Sequence, residues 1–416
     1  MRLNVGNGYE WEIKERISPK SFRILIYPGG EENRATVKEL EFFANKAKDR
    51  AVLAFLDNGK VAMRKTSNNL RTTTKSTKAP VHRDIAWKLM REVMKEAKKS
   101  RLPILQNILI KPGKITATDL EVFLTIPQET NCANAFLVNF DLIDKAKKIL
   151  PEGKVKINES KIEIGSYSIP TAELSPDDFP LAPTLKKIVG HAEIPGGKIA
   201  HLLTHVKKDE EHYSLRGIYF AEDYAVATDG SRLLAYKTPT GGEPFIINPR
   251  FARLISHLDT VEIKTDGKIS KVEGDFEILG RDIEGGFPDF KAILREESAY
   301  ILSVKKKEIL KHINAILKVN PHNPFGMTFY LDNSGSRIET KISVNKSLTE
   351  TIFYKEELKA RFNGSALRIT LDPKFLKDML IPIPHETTVK LEMDSPTDPI
   401  IIQYDKMIGL LMPIKP

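Results

Sequence analysis

The chain has 416 residues, 41% of them hydrophobic, enough for two to four ordinary globular domains. One cysteine, Cys132, excludes an internal disulfide framework. With no bilayer-length apolar stretch and no apolar signal-peptide core, a cytoplasmic location is expected. The net charge is +9, but residues 1–80 hold 16 Lys+Arg against 9 Asp+Glu, which leaves +2 for the remainder. Nucleic-acid contact beyond residue 80 therefore has to come from locally arranged charge rather than from bulk charge.

In chain order, residues 1–65 read as a small α+β extension. Phe22 to Tyr27 is a strand ended by Pro28-Gly29-Gly30. Val37, Leu40, Phe43, Ala44 and Ala47 recur at helical spacing over 35–49. Asn58-Gly59 marks a hairpin between 51–56 and 60–66, because its turn needs positive φ at both central positions. Residues 66–79 are too polar to bury a core and read as a linker.

After Pro80 one order of elements recurs three times: helix, strands, helix, strands. The helices are expected at 83–99, 139–150, 197–208, from Asn248-Pro249, at 304–318 and at 372–380. Strands are expected at 103–127, 215–237, 326–354 and 387–414, with further strands running to Phe179-Pro180 and to Phe287-Pro288. The recurrence is visible in the residues themselves. Ala117-Thr118-Asp119-Leu120 is answered 110 residues later by Ala227-Thr228-Asp229-Gly230, and Asp178-Phe179-Pro180 by Gly286-Phe287-Pro288. A period this long means one small domain reused. The fold class is α+β, with two helices packed on antiparallel sheets in each of three domains, 80–188, 189–297 and 298–416.

The expected helices lean basic on one face. The first has Ile85, Leu89, Val93 and Ala97 inside and Lys88, Arg91, Lys95 and Lys98 outside, with Lys99 and Arg101 following. The second offers Lys145, Lys147 and Lys148. The third is weaker, with Lys198, His201, His205 and Lys208. The fourth has Arg250 and Arg253, the fifth Lys307, Lys311 and Lys318, and the sixth Lys374 and Lys377. A single basic stripe reads as a solvated face. Six at equivalent positions point to a surface that attracts duplex DNA without reading its sequence. No aromatic residues interleave the stripes, which argues against single-strand stacking.

Several motifs in one order resemble the bacterial DNA polymerase III beta subunit, the sliding clamp family, over about residues 80–416. They are Leu102-Pro103-Ile104-Leu105-Gln106-Asn107, Ala117-Thr118-Asp119-Leu120-Glu121, Leu150-Pro151-Glu152-Gly153, Ala227-Thr228-Asp229-Gly230-Ser231-Arg232-Leu233, Gly286-Phe287-Pro288-Asp289-Phe290 and Leu411-Met412-Pro413-Ile414. Residues 1–75 have no counterpart in the usual member. The resemblance implies a processivity factor without a cofactor: two chains joined head to tail in a ring around duplex DNA. It also implies a cleft between the second and third domains that takes peptides from a polymerase, the clamp loader and repair proteins. Carried over residue by residue, that cleft is Leu215, Thr228, Gly230, Ser231, Arg232, Leu233, Pro288, Ile293, Leu411, Met412, Pro413 and Ile414, with Arg232 orienting the peptide. Ser231 and Ala292 stand where other members often carry His and Arg. The resemblance places the ring interface at Tyr167 and Ile169 on one side and Ile316 and Leu317 on the other.

Two other readings compete. Asp119 and Asp229 resemble a metal-binding carboxylate pair, but they hold equivalent positions in separate domains, where Asp is ordinary turn chemistry. The nine His form no ligand-spaced cluster and there is no phosphate-cradling GxxxxGK[ST] loop, so no enzyme and no metal site is expected. The other rival is a non-encircling DNA-binding protein that grips through the basic extension.

Overall fold

The computed structural model describes four strands within residues 2–36 at the level of the backbone. It further describes residues 83–416, apart from 152, 159–160, 210–211, 294–297, 345–348 and 415–416, with 83–84 as backbone alone. The chain divides into two compact units, Met1–Ala79 and Pro80–Pro416. In the first unit, Arg2–Gly6, Tyr9–Ser18, Ser21–Tyr27 and Glu31–Thr36 form an antiparallel sheet in sequence order. The expected strand at Phe22 is present, and residues 35–36 belong to the fourth strand rather than to a helix. The remainder of the expected helix, the Asn58-Gly59 hairpin and the linker lie outside the described residues.

The described residues of the second unit form six α-helices: α1 (Arg83–Ala97), α2 (Phe140–Ile149), α3 (Gly196–Leu202), α4 (Pro249–Ile255), α5 (Lys306–Val319) and α6 (Pro373–Leu380). Their starts follow from capping. Asn139 and Asn248 accept backbone N–H bonds at the heads of α2 and α4, and Asp372 accepts from Lys374 and Phe375 at the head of α6. Pro opens α4 and α6, where its missing N–H costs nothing. No helix among the described residues is long and apolar enough to cross a membrane.

Two expectations are corrected. α3 ends at Leu202, so Lys208 lies beyond it. α5 begins at Lys306, because Tyr300–Lys305 is a strand.

Helical spacing sets what is buried. α1 turns Leu89, Met90, Val93, Met94 and Ala97 inward, α5 turns Ile309, Ile313 and Ile316, and α6 turns Leu376, Met379 and Leu380. All of these join one core cluster with the inner faces of the sheets.

The sheets explain how the three modules are joined. In module I the meander Asn107–Lys111, Lys114–Thr118, Val122–Pro127 ends on a strand that pairs antiparallel with Glu277–Arg281 of module II. In module II the equivalent meander Ile218–Ala221, Tyr224–Thr228, Arg232–Lys237 pairs antiparallel with Met407–Leu411 of module III. Each junction therefore lies inside a continuous nine-stranded sheet. Two smaller sheets remain. One has the order Tyr167–Pro170, Lys161–Ile164, Val155–Asn158; the other has Thr351–Glu357, Gly335–Ser343, Met327–Asp332, Leu367–Leu371.

The helices form a row on the covered face of these sheets. α2 meets α1 through Arg91–Asp144 at 2.6 Å and Trp87–Phe140 at 5.4 Å. α1 meets α4 across a small cleft lined by Glu92, Val93, Glu96, Arg250, Arg253 and Leu254. α4 packs on α3, where a Cβ on Gly196 would lie 2.1 Å from the Leu258 carbonyl, so that approach requires glycine. α3 meets α6 around Arg232, and α6 packs on α5. The order is α2, α1, α4, α3, α6, α5.

Candidate functional site

The repeated Thr-Asp motif builds the same turn at both module junctions. Thr118 donates its hydroxyl to the Val122 carbonyl (2.7 Å), and Thr228 donates to that of Arg232 (2.7 Å). Asp119 Oδ1 accepts from the amides of Glu121 and Val122, and Asp229 Oδ1 from those of Ser231 and Arg232. The residue after each Asp sits at positive φ, Leu120 at 77° and Gly230 at 91°. This leaves each Oδ2 for the junction. Asp119 Oδ2 accepts from Arg250 Nη1 of module II at 2.9 Å, and Asp229 Oδ2 from Arg232 Nε at 2.9 Å. The two carboxylates are structural and serve separate junctions. Among the described residues no group of three or more His, Cys, Asp or Glu is placed to hold a metal ion.

The twelve expected cleft residues separate into a surface and its support. Gly230, Ser231, Pro288, Ile293 and Met412 are exposed, Pro413 and Ile414 half-buried, and Leu215, Thr228, Leu233 and Leu411 buried. The surface members from modules II and III are directly joined, since the Met412 amide donates to the Ser231 carbonyl at 2.8 Å. Leu233 packs under them in a cluster with Val226, Phe290, Ile401 and Leu410, flanked by Tyr219, Tyr224, Phe287 and Ile408. Phe287 stacks on Tyr219 at 4.6 Å, which fixes the chain leading to Pro288 and Ile293. The expected cleft takes only Pro288 from the motif Gly286-Phe287-Pro288-Asp289-Phe290, although Phe287 and Phe290 of that motif support the surface.

Arg232 requires a correction. It is 8% exposed and its guanidinium is occupied inside the protein. Nε donates to Asp229, Nη1 to Asp378 Oδ2 (2.8 Å) and Nη2 to the Thr204 carbonyl (2.6 Å), while the carbon of the fork lies 4.0 Å from the Phe375 ring centre. Three of its five N–H donors and one face of its plane are thus engaged within the protein, which leaves little of the group facing outward to orient a peptide.

The basic residues divide by partner. Arg91 and Lys148 pair with Asp144, Lys98 with Asp141, Lys99 with Glu96, Arg250 with Asp119 and Lys307 with Glu386. Burial works to raise the Asp144 carboxyl, but hydrogen bonds from Lys148 and Arg91 hold it below its ordinary value. Among the described residues, Lys88, Lys95, Arg101, Lys145, Lys208, Arg253, Lys311, Lys318, Lys374 and Lys377 have no carboxylate within 4 Å. Lys198 lies over the Tyr236 ring at 5.1 Å, where burial lowers its pKa.

The two histidines of the third stripe are corrected. His201 bonds to the Tyr236 hydroxyl (3.1 Å) and His205 is fully buried. Desolvation lowers both, His205 to about 4, so they are neutral and add nothing to the basic face.

The expected ring-interface residues also divide. Tyr167 is exposed on an edge strand, and Ile169 shares that strand with its side chain in the core. Ile316 is 0% exposed and Leu317 packs against the core, because they fall on the inward stripe of α5. Exposed apolar residues of module III include Val319, Ile352 and Phe353, the last two on the edge strand Thr351–Glu357.

No family model matches the chain. The beta sliding clamp of Chlamydia pneumoniae is 22% identical over 349 residues, covering 76% of this chain and 92% of that protein. Among solved structures, a DnaN sliding clamp from Bartonella birtlesii bound to griselimycin gives a TM-score of 0.67 at 19% identity, covering 81% of this chain and 99% of that one. The Helicobacter pylori beta clamp bound to a DNA ligase peptide gives 0.65 at 18% identity, covering 80% and 98%. Three α+β modules sharing sheets at their junctions, with paired helices on one face, define the clamp class of fold. In fold and in sequence the chain is similar to the DNA polymerase III beta subunit, or sliding clamp, proteins.

Proposed function

We propose that the protein is a DNA sliding clamp: a head-to-tail homodimer that encircles duplex DNA and tethers replication and repair proteins at the junction of modules II and III. One observation carries the ring. At both internal junctions the third strand of a module's first meander pairs with the third strand of the next module's second meander. Module III keeps its own such strand, Thr351–Glu357, at a free edge, and module I keeps the complementary one, Tyr167–Pro170. A second copy that repeats the same antiparallel pairing twice removes both free edges and closes a ring of six modules. The helix row supports this, since the same step brings α5 of one copy beside α2 of the other. The two end helices carry exposed apolar side chains, Leu142 and Ile149 (61% exposed) on α2 and Val319 on α5. The internal α1–α4 junction carries charges in their place.

In such a ring the helix faces line the hole. Diffuse, partly neutralised charge attracts phosphates without gripping them, so the enclosed duplex is held by topology and free to slide. The apolar rim of Met412, Pro413, Ile414 and Ile293 beside Ser231 suits a short partner peptide, the kind of ligand bound in the Helicobacter pylori complex. We read the protein as non-catalytic, cytoplasmic and built of modules 80–188, 189–297 and 298–416. The test is retention after loading by a bacterial clamp loader: the protein should stay on a nicked circular plasmid through gel filtration and leave once the plasmid is linearised. Equal retention on both forms would favour surface binding through the extension.

A further inference from the structure

Arg232 joins three separate pieces of chain: the turn of module II at Asp229, the segment after α3 at Thr204, and α6 of module III at Asp378 and Phe375. Its own backbone lies in the strand that pairs with Met407–Leu411, and the residue before it accepts the Met412 amide. α6 in turn rests on that module III strand, with Met379 packed where a Cβ on Gly409 would lie. A continuous path of packed and bonded atoms thus runs from the guanidinium through Asp378, Met379 and Gly409 to Met412.

We infer that Arg232 is a positioning residue for the docking surface, which sets the spacing between Gly230-Ser231 and Met412-Pro413 without touching the occupant. This rests on the reading of that surface as a peptide site. Only a planar fork meets the requirement, because Nε, Nη1 and Nη2 reach three acceptors on different segments while the plane lies on Phe375. A lysine ammonium has one centre and no plane. Removing one acceptor leaves a buried charge short of a partner, so the two modules must shift to hydrate it.

The probe is a fluorescein-labelled copy of the DNA ligase peptide of the Helicobacter pylori complex, followed by anisotropy. Wild type must bind it first; failure there removes the docking surface itself and is told apart from failure of this inference. Arg232→Lys and Asp378→Asn should each weaken binding about tenfold. The double variant should be no weaker than the worse single, since both act through one contact. Asp378→Glu should recover part of the loss, and sedimentation should still give the wild-type assembly. Should Arg232→Lys prove insoluble, Phe375→Leu removes the supporting plane without touching charge and should weaken binding about threefold. Unchanged affinity in Asp378→Asn beside a loss in Arg232→Lys would mean that Arg232 touches the peptide itself. Unchanged affinity in all variants, with a lower melting temperature, would reduce the staple to a stability element. Either result overturns the inference.

Discussion

His205 stands beside the Arg232 staple, fully buried, and its state follows from its surroundings. Nδ1 meets the Thr204 hydroxyl at 2.9 Å and the His201 carbonyl at 3.3 Å, while Nε2 has no hydrogen-bond partner among the described residues. Burial disfavours the imidazolium and the nearby Arg232 charge adds to this, which pushes the pKa to about 4. The sign of the linkage is then fixed. The unfolded chain takes up this proton below about 6.5 and the folded chain only near 4, so stability present above pH 6.5 is lost as pH falls toward 4. The loss attributable to this side chain approaches about 3 kcal/mol. Urea unfolding of wild type and His205→Leu at pH 7.5 and pH 4.5 should show a clearly shallower pH dependence in the variant. Equal slopes would mean that His205 is hydrated. In the sequence this residue reads as one more basic position on a helix. Its helix ends three residues earlier, and what surrounds it comes from a turn and a helix that lie far away in the chain.

Among the elements, sequence legibility depends on whether the signal is local. α1, α4 and α6 are readable because an apolar stripe or an Asn/Asp-Pro cap lies within one window of residues. Gly190–Pro195 and Tyr300–Lys305 escape notice. The first holds Gly and Pro, and the second runs into the helical spacing of α5. The strand pairings between modules have no local signature at all, so the free edges of Tyr167–Pro170 and Thr351–Glu357 emerge only from topology. That is also why resemblance puts Ile316 at the ring interface, whereas the burial of α5 gives that stripe to the core. In the proposed ring the contact would fall to the edge strand Thr351–Glu357, where Phe353 is 62% exposed. Replacing Ile352 with Lys together with Phe353 with Glu removes apolar area from the edge and places charge on it. Sedimentation at micromolar concentration should then give monomer with an unchanged circular dichroism spectrum. A persistent dimer would move the interface elsewhere.

For the whole molecule, the balance of charge decides what kind of DNA-binding protein this is. Six of the basic positions on the helix faces are held by carboxylates of the same protein, and a cation already paired releases few counterions when a phosphate approaches. The cations without carboxylate partners should supply most of the attraction, among them Lys88 and Lys95 on α1 and Lys311 and Lys318 on α5. Their neutralisation separates affinity from topology. Changing these four to Gln should lower the slope of log affinity against log salt by roughly 0.9 for each phosphate that is no longer neutralised, about 3 to 4 in all. Changing Lys99 and Lys307, which are already paired, should alter the slope much less. Once loaded on a closed circle, the fourfold variant should remain there nearly as long as wild type, because enclosure does not depend on those charges. A protein holding DNA by surface attraction would lose both together, so fast release of the fourfold variant from circular DNA would argue against enclosure even where the slope changed as expected.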